Sequence, residues 1–337
     1  MNIVPAWKIT KGSSKTIVAV LDTGVAQDIA DLPGVIDGES FYGPDSTDVD
    51  GHGTACAGII AAKHNDALIA GVCPECTIMA VKVLSDFGTG TWSSVSGGME
   101  AAVDDGAHVL SMSLGGDIGN ELLEVASKYV YNNNVPNLVA AGNSGYSFLA
   151  YPAAYEQNIA IGAMSPCCER KSGDSCDNLG WASQYGTGLD VMAGGVFLRT
   201  ITTSGTLYQN FGGTSGATPH VAGLVGLIRS KNMELTVDEI RSLLHQGAQP
   251  LETGKLPAFE TGYGRIDAYA TLSLLCVAGD ANDDKLVNVQ DIVIMVNYIL
   301  GYNTDTEVCK LDYDNDGMVT VLDIVKIVNY ILHGGER

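Results

Sequence analysis

Gly212-Gly213-Thr214-Ser215-Gly216-Ala217-Thr218-Pro219-His220-Val221-Ala222-Gly223 puts one hydroxyl, Ser215, behind a glycine pair and ahead of an apolar run, Val221 to Ile228. The run predicts a helix, and a serine at its start is held clear of the core. Free N–H groups and the helix dipole there favour negative charge. That setting suits a nucleophile, because acyl transfer develops an oxyanion beside it. It equally suits an N-cap serine before a core helix. The stretch alone does not choose between the two.

Outward from it, short apolar runs alternate with helical patterns. Lys15 to Leu21, Ile78 to Leu84, Ala107 to Leu114, Asn137 to Ala141, Ile159 to Ala163 and Leu189 to Ala193 read as strands. Thr54 to Ala62, Thr91 to Asp105 and Glu121 to Asn133 read as helices. β/α alternation with short connections predicts an α/β fold, a doubly wound, mainly parallel sheet with helices on both faces. Asp22 ends the first strand, where such sheets place their chemistry. His52 lies between Gly51 and Gly53 at a helix start; flanking glycines let other backbone approach an imidazole closely. Ser113 and Asn143 follow strands. His64, His108, His220, His245 and His333 lack such a setting and read as structural or surface residues.

The chain has 337 residues, of which 46% are hydrophobic and 41 are Gly, enough for one large core and something small. A net charge of −21 argues against nucleic acid or an anionic membrane as partner. No apolar run reaches the length of a membrane span. Met1 to Pro5 lacks the basic start and apolar stretch of a signal peptide, so the expectation is a trimmed precursor or a fragment. Eight cysteines favour disulfides and an oxidising compartment. Cys73-Pro-Glu-Cys76 fits a tight local disulfide or half a zinc site, with Cys167, Cys168 and Cys176 as the other half on paper.

From about Cys276 the composition changes. Asp280, Asn282, Asp284, Asn288 and Asp291 place oxygens at positions 1, 3, 5, 9 and 12 of a loop, with the Leu286 carbonyl at 7. Asp312, Asp314, Asp316, Thr320 and Asp323, with Met318 at 7, repeat the pattern 32 residues later (312 minus 280). Each loop leads into a near-identical helix, Ile292 to Leu300 and Ile324 to Leu332. Hard Ca2+ needs several oxygens on a sharp turn, so two Ca2+ sites are expected in a small all-α module of two loop-helix repeats. The Val/Ile/Tyr stripe of those helices, Val293, Val296, Tyr298 and Ile299, reads mainly as core in so small a module.

Val18 to Gly24, Gly51-His52-Gly53-Thr54, Ser113 to Gly116, Ala140 to Asn143, Gly213 to His220 and Gly262 to Ala268 resemble, in order, the signature blocks of the subtilisin-like serine proteases. The resemblance covers about residues 1–275, expected to form the peptidase domain, and 276–337 the second domain. It implies a serine endopeptidase with Ser215 as nucleophile, His52 as general base and Asp22 as its orienting carboxylate. It also implies an oxyanion hole from Asn143 and the Ser215 N–H. Ser113, Leu114, Gly115, Gly116, Ala140, Ala141 and Gly142 would line the cleft for a polypeptide substrate. Cys56 resembles the buried free cysteine of the proteinase K branch. An inhibitory propeptide in the precursor is expected, and further Ca2+ sites in the peptidase domain are open. Gly216 departs from the family's usual methionine and would loosen the turn behind Ser215. No acidic residue stands out near the segments of the first specificity pocket, so apolar or mid-sized side chains are expected there.

The tail resembles dockerin modules of type I, which bind cohesin domains of scaffold proteins. The implied location is extracellular, at a cell surface or in a cellulosome. Departures are Lys285, where a turn glycine is usual, and Val289-Gln290 and Val321-Leu322 at the recognition positions. Cys276 and Cys309 precede the two loops and could join the copies. Two other readings stand beside this one: a catalytically inert adaptor on the same fold, and a dockerin that stabilises its own protease domain.

Overall fold

Ile17–Asp22 (β1) is the strand from which the sheet is wound in both directions. Every residue after Ile17 is buried, as a strand covered on both faces requires. The computed structural model describes residues 1–251, 259–282, 284, 286–302, 306–314 and 316–333. They form two units: Lys11–Asp267, and a second that joins Asn2–Thr10 to the chain from Ala268 onward.

In chain order the elements are α1 (Ile3–Ala6), β1, β2 (Val35–Ser40), α2 (His52–Ala61), β3 (Thr77–Lys82), α3 (Trp92–Asp104), β4 (Val109–Met112) and α4 (Glu121–Asn132). Then come β5 (Asn137–Ala140), β6 (Ile159–Met164), β7 (Leu189–Gly194), β8 (Leu198–Ile201), β9 (Leu207–Phe211), α5 (Thr214–Lys231) and α6 (Val237–Gly247). The remaining helices are α7 (Ala268–Ser273), α8 (Val289–Ile299), α9 (Val308–Leu311) and α10 (Val321–Leu332).

The first unit is a seven-stranded sheet in the order β2-β3-β1-β4-β5-β6-β7, every pair parallel. β1 lies between β3 and β4, so the winding reverses there, and a crevice opens at the carboxyl ends of β1 and β4. Alternate residues of β1 serve opposite faces. Ala19 and Leu21 pack with Val95, Met99 and Leu123 under α3 and α4. Val18 faces α5, near Gly226. α5 is buried around most of its circumference, which is why its apolar residues follow no single stripe.

Three features differ from the sequence expectations. The edge strand β2 went unread because most of its residues are partly or fully exposed and show no apolar run. The β8–β9 hairpin is short and mixed in composition. α6 carries a capping box, Thr236 with Glu239, which was a legible start signal.

In the second unit, α8 and α10 pack over Ala281, Met295, Leu311 and Ile327. The one-turn helix α9 stands directly before the second loop, where an exit helix alone was expected. Tyr298 joins this core, but Val293 and Val296 are 55% and 37% exposed, correcting their reading as core. The pairing of cysteines is Cys73–Cys76, Cys167–Cys176 and Cys276–Cys309, with Cys56 and Cys168 free; a zinc site from Cys73, Cys76, Cys167, Cys168 and Cys176 is thereby excluded.

Leu110 lies fully buried in β4, just ahead of the strand end that lines the crevice. Leu110→Ala should lower unfolding free energy by about 3 kcal/mol, read as a lower urea midpoint by tryptophan fluorescence.

Candidate active site

Three chain segments meet at the crevice. Asp22, fully buried at the end of β1, accepts from the N–H of Thr23 at 2.7 Å and lies 2.7 Å from His52 Nδ1. The imidazole is fixed with Nδ1 inward, which leaves Nε2 for the crevice. Phe211 packs edge-on against the ring, with centroids 5.4 Å apart. Gly53 is glycine for a steric reason: a Cβ there would run into the Gly24 carbonyl.

A fourth residue holds this arrangement. Asp48 is 4% exposed, and its Oδ1 accepts from Thr23 Oγ1 at 2.8 Å and Gly51 N–H at 2.9 Å. Its Oδ2 accepts from Thr54 N–H at 2.8 Å and Thr54 Oγ1 at 2.6 Å. Thr23 Oγ1 in turn accepts from Gly53 N–H at 3.0 Å. One carboxyl group thus ties the residue after Asp22 to both flanks of His52. Sequence reading missed it, because a loop aspartate four residues before a histidine carries no signal of its own.

Burial opposes a charge on His52, but the charge and hydrogen bond of Asp22, with Asp50 and Asp48 behind them, outweigh it and raise its pKa to about 9. Cys56 beside it is fully buried; burial and the Asp22 charge push its thiol well up, so it stays protonated. His220 Nδ1–H donates within its own helix to Gly216 O at 2.8 Å, and burial lowers its pKa. His245 lies 2.8 Å from Asp190, away from these residues.

Ser215 sits in the first turn of α5, after Gly213 at φ 90°. Pro219, four residues on, has no N–H to give the Ser215 carbonyl. That carbonyl accepts instead from Ser113 Oγ at 2.9 Å. Ser215 Oγ returns a bond to Ser113 O at 3.2 Å, so the hydroxyl points to the β4 end rather than to His52 in this rotamer. A Cβ at Gly216 would meet the tip of the Leu198 side chain, so a larger residue there requires Leu198 to turn aside. Asn143 Oδ1 accepts from Thr214 N–H at 2.8 Å and Thr214 Oγ1 at 3.1 Å. Because an N–H can only donate, the amide oxygen is turned inward and Nδ2 outward.

A cavity of about 280 Å³ is lined by Ser215, Asn143, Ser113 to Gly116, Ala140 and Gly142. Ala141 is not among its lining residues; it is buried, with its backbone bonded to Ile161 and Ala150. Gln184 and Asp117 also line the cavity, which corrects the expectation that no acidic side chain stands there.

In the second unit the two loops are built alike. Asp291 accepts from the N–H groups of Ala281, Asn282 and Asn288. Asp323 accepts from those of Tyr313, Asp314 and Thr320. Asp284 N–H donates to Asp280, and Asp316 N–H to Asp312, at 3.1 Å each. Carboxylate oxygens of Asp312, Asp314 and Asp323 converge within 4.8 Å of one another. Burial raises the Asp312 carboxyl. An all-oxygen, multiply acidic donor set fits Ca2+. Asn282, Leu286, Asn288 and Met318 hold their loop positions; Lys285 lies outside the described residues.

A model of the subtilase family matches residues 13–264, and one of the dockerin type I domain matches residues 278–332. Thermitase of Thermoactinomyces vulgaris is 40% identical over 269 residues, covering 78% of this chain and 90% of that protein. Subtilisin DY of Bacillus licheniformis is 40% identical over 259 residues, 75% and 89% of the two chains. A thermophilic serine proteinase of Bacillus sp. (strain AK1) is 41% identical over 268 residues, which span 78% of this chain and 63% of that one.

Asp48→Asn sets an amide N–H₂ against N–H or O–H donors and removes a negative charge near His52. It should lower kcat/KM about tenfold, equivalent to ~1.4 kcal/mol of barrier. Losing the charge destabilises the imidazolium, so the ascending limb of the pH–rate profile should move to lower pH.

Proposed function

The chain belongs to the subtilase family of serine proteases and carries a dockerin type I domain; from that premise we propose that it is an extracellular endopeptidase acting through Asp22, His52 and Ser215, held on a scaffold protein by its dockerin. The observation that carries the catalytic part is the 2.7 Å bond from Asp22 to His52 Nδ1 at the crevice that Ser215 and Asn143 also line.

Ser215 Oγ, rotated from Ser113 O toward His52 Nε2, attacks the peptide carbonyl carbon and gives its proton to that nitrogen. Asp22 stabilises the imidazolium. The oxyanion takes hydrogen bonds from Asn143 Nδ2 and from the Ser215 N–H, which as a first-turn amide lacks an intrahelical acceptor. The intermediate collapses to an acyl-enzyme as the amine leaves with the proton from His52. Water then attacks in the same manner and frees the acid. Leu114 and Gly115 offer the backbone along which an extended peptide adds as a strand.

Ca2+ in the tail would be held by Asp280, Asn282, Asp284, Leu286, Asn288 and Asp291, and by Asp312, Asp314, Asp316, Met318, Thr320 and Asp323. Its charge would offset the gathered carboxylates and order both loops. In the protease unit, Asp31 is 5% exposed with neither oxygen hydrogen-bonded, a further position suited to a cation. The partner surface we assign to the apolar residues that both repeats leave exposed: Leu286, Val289 and Val293, and their counterparts Met318, Val321 and Val325. Apolar residues at these positions favour a cohesin with a matching apolar face. Among the described residues, no helix is long and apolar enough to cross a membrane.

Treatment of the full chain with a fluorophosphonate should give one adduct, on Ser215, and none in Ser215→Ala; an unlabelled folded chain would overturn the protease mechanism. Asn143→Ala should cut kcat by about 10²–10³, the size known for the corresponding amide in a subtilisin. With His52 at about 9, the base is neutral only at alkaline pH, so kcat/KM should climb with pH and level off above about 9. A chelator should abolish a native-gel shift with cohesin and leave fluorophosphonate labelling of Ser215 in place.

A further inference from the structure

The crevice has two compartments that share one wall, Ser113-Leu114-Gly115. The compartment beside Ser215 and Asn143 contains Asp117. The other, of about 390 Å³, contains His52, Thr23, Leu84, Trp92, Val95 and Asp50. Among the described residues, none lining either compartment is Lys or Arg.

Successive side chains of an extended peptide point to opposite sides. A peptide laid along the shared wall therefore sends alternate residues into the two compartments. The residue whose carbonyl is attacked must place its side chain beside Ser215 and Asn143. The residue before it then enters the His52 compartment. That compartment is apolar along Leu84, Trp92 and Val95 and acidic at Asp50. An apolar wall ending in a carboxylate matches the stem and head of a Lys or Arg side chain.

Asp50 is free to act in this way. Its carboxyl group is exposed and accepts only a 3.2 Å bond from the His52 N–H, and among the described residues no cation pairs with it. Gly88, opposite, has no side chain to fill the approach; even a Cβ there would stand 3.8 Å from Asp50 Oδ2. The net charge of −21 further favours the approach of cationic peptides.

We propose that Asp50 is a specificity residue that selects peptides with Lys or Arg immediately before the residue at whose carbonyl the chain is cut. This rests on the endopeptidase reading above. It goes beyond it in naming the substrate class: cationic polypeptide segments.

The test uses the full chain. Ser215→Ala protein, which cannot turn over, is titrated by calorimetry at low salt with octapeptides that differ only in Lys, Leu or Glu at that position. Lys should bind about fivefold more tightly than Leu, with Glu weakest, as for one partly exposed ion pair. Asp50→Asn in the same background should bring Lys and Leu within about twofold, and 0.5 M salt should do the same in the parent. In parallel, wild-type kcat/KM is measured on the same series. The Lys-to-Leu ratio within each variant cancels the effect of Asp50→Asn on the His52 pKa. Equal binding of Lys and Leu peptides, or a Lys preference that survives Asp50→Asn, would overturn the assignment. Absence of both fluorophosphonate labelling and hydrolysis would instead defeat the endopeptidase reading, and the binding series would still decide the role of Asp50.

Discussion

Two acidic side chains, Asp22 and Asp48, are shut away from water at the start of the crevice, and neither is paired with a lysine or arginine among the described residues. Burying such groups is costly unless hydrogen bonds replace the lost solvent. Their surroundings consist of those replacements. Thr23, Gly51 and Thr54 turn N–H and O–H groups toward the two carboxyls, Gly53 N–H holds the Thr23 hydroxyl in place, and the imidazole and the Cys56 thiol face Asp22. The geometry of the base follows from satisfying the acids. His52 stands where it does because Asp22 needs a donor and Asp48 fixes the turn that brings it.

The nucleophile is positioned by a complementary device. Proline in a helix usually leaves a carbonyl without its partner. Here that carbonyl belongs to Ser215, and Ser113 supplies the missing donor. The strand end and the helix start are thereby joined by a reciprocal pair of bonds. The same strand end forms the wall between the two compartments. A defect in one element has become the joint between two, and both the hydroxyl and the substrate track are set by it.

What could be read from the sequence was local. Glycines around His52, a strand ending in Asp22 and a Gly-Thr-Ser-Gly turn each carry their reason within a few residues. The winding order followed from alternating patterns. Illegible features depend on contacts across long separations. Asp48 acts through Thr23, 25 residues away, and the space beside Gly216 is bounded by the Leu198 side chain from another element. Asp117 lies next to Gly116 in the sequence, yet its place in the cavity depends on how the chain turns after β4. In the tail, the repeat was plain, but the direction each helix faces was not. Val293 and Val296 resemble core residues in type and are surface residues in position.

The second unit is assembled from both ends of the described chain. The first-turn segment around α1 packs with α7, and the α7 residue Tyr269 donates a 2.6 Å hydrogen bond to Asp312 at the head of the second loop. The tail is therefore not a cassette that can be lifted out at one cut. A piece beginning at Cys276 would lose the hydroxyl that shields a loop carboxylate, and would lose the helix that carries it. In engineering terms the transferable part has two seams. A graft of this tail onto another enzyme that ignores the N-terminal seam would carry a calcium loop whose innermost acid has been stripped of one of its partners.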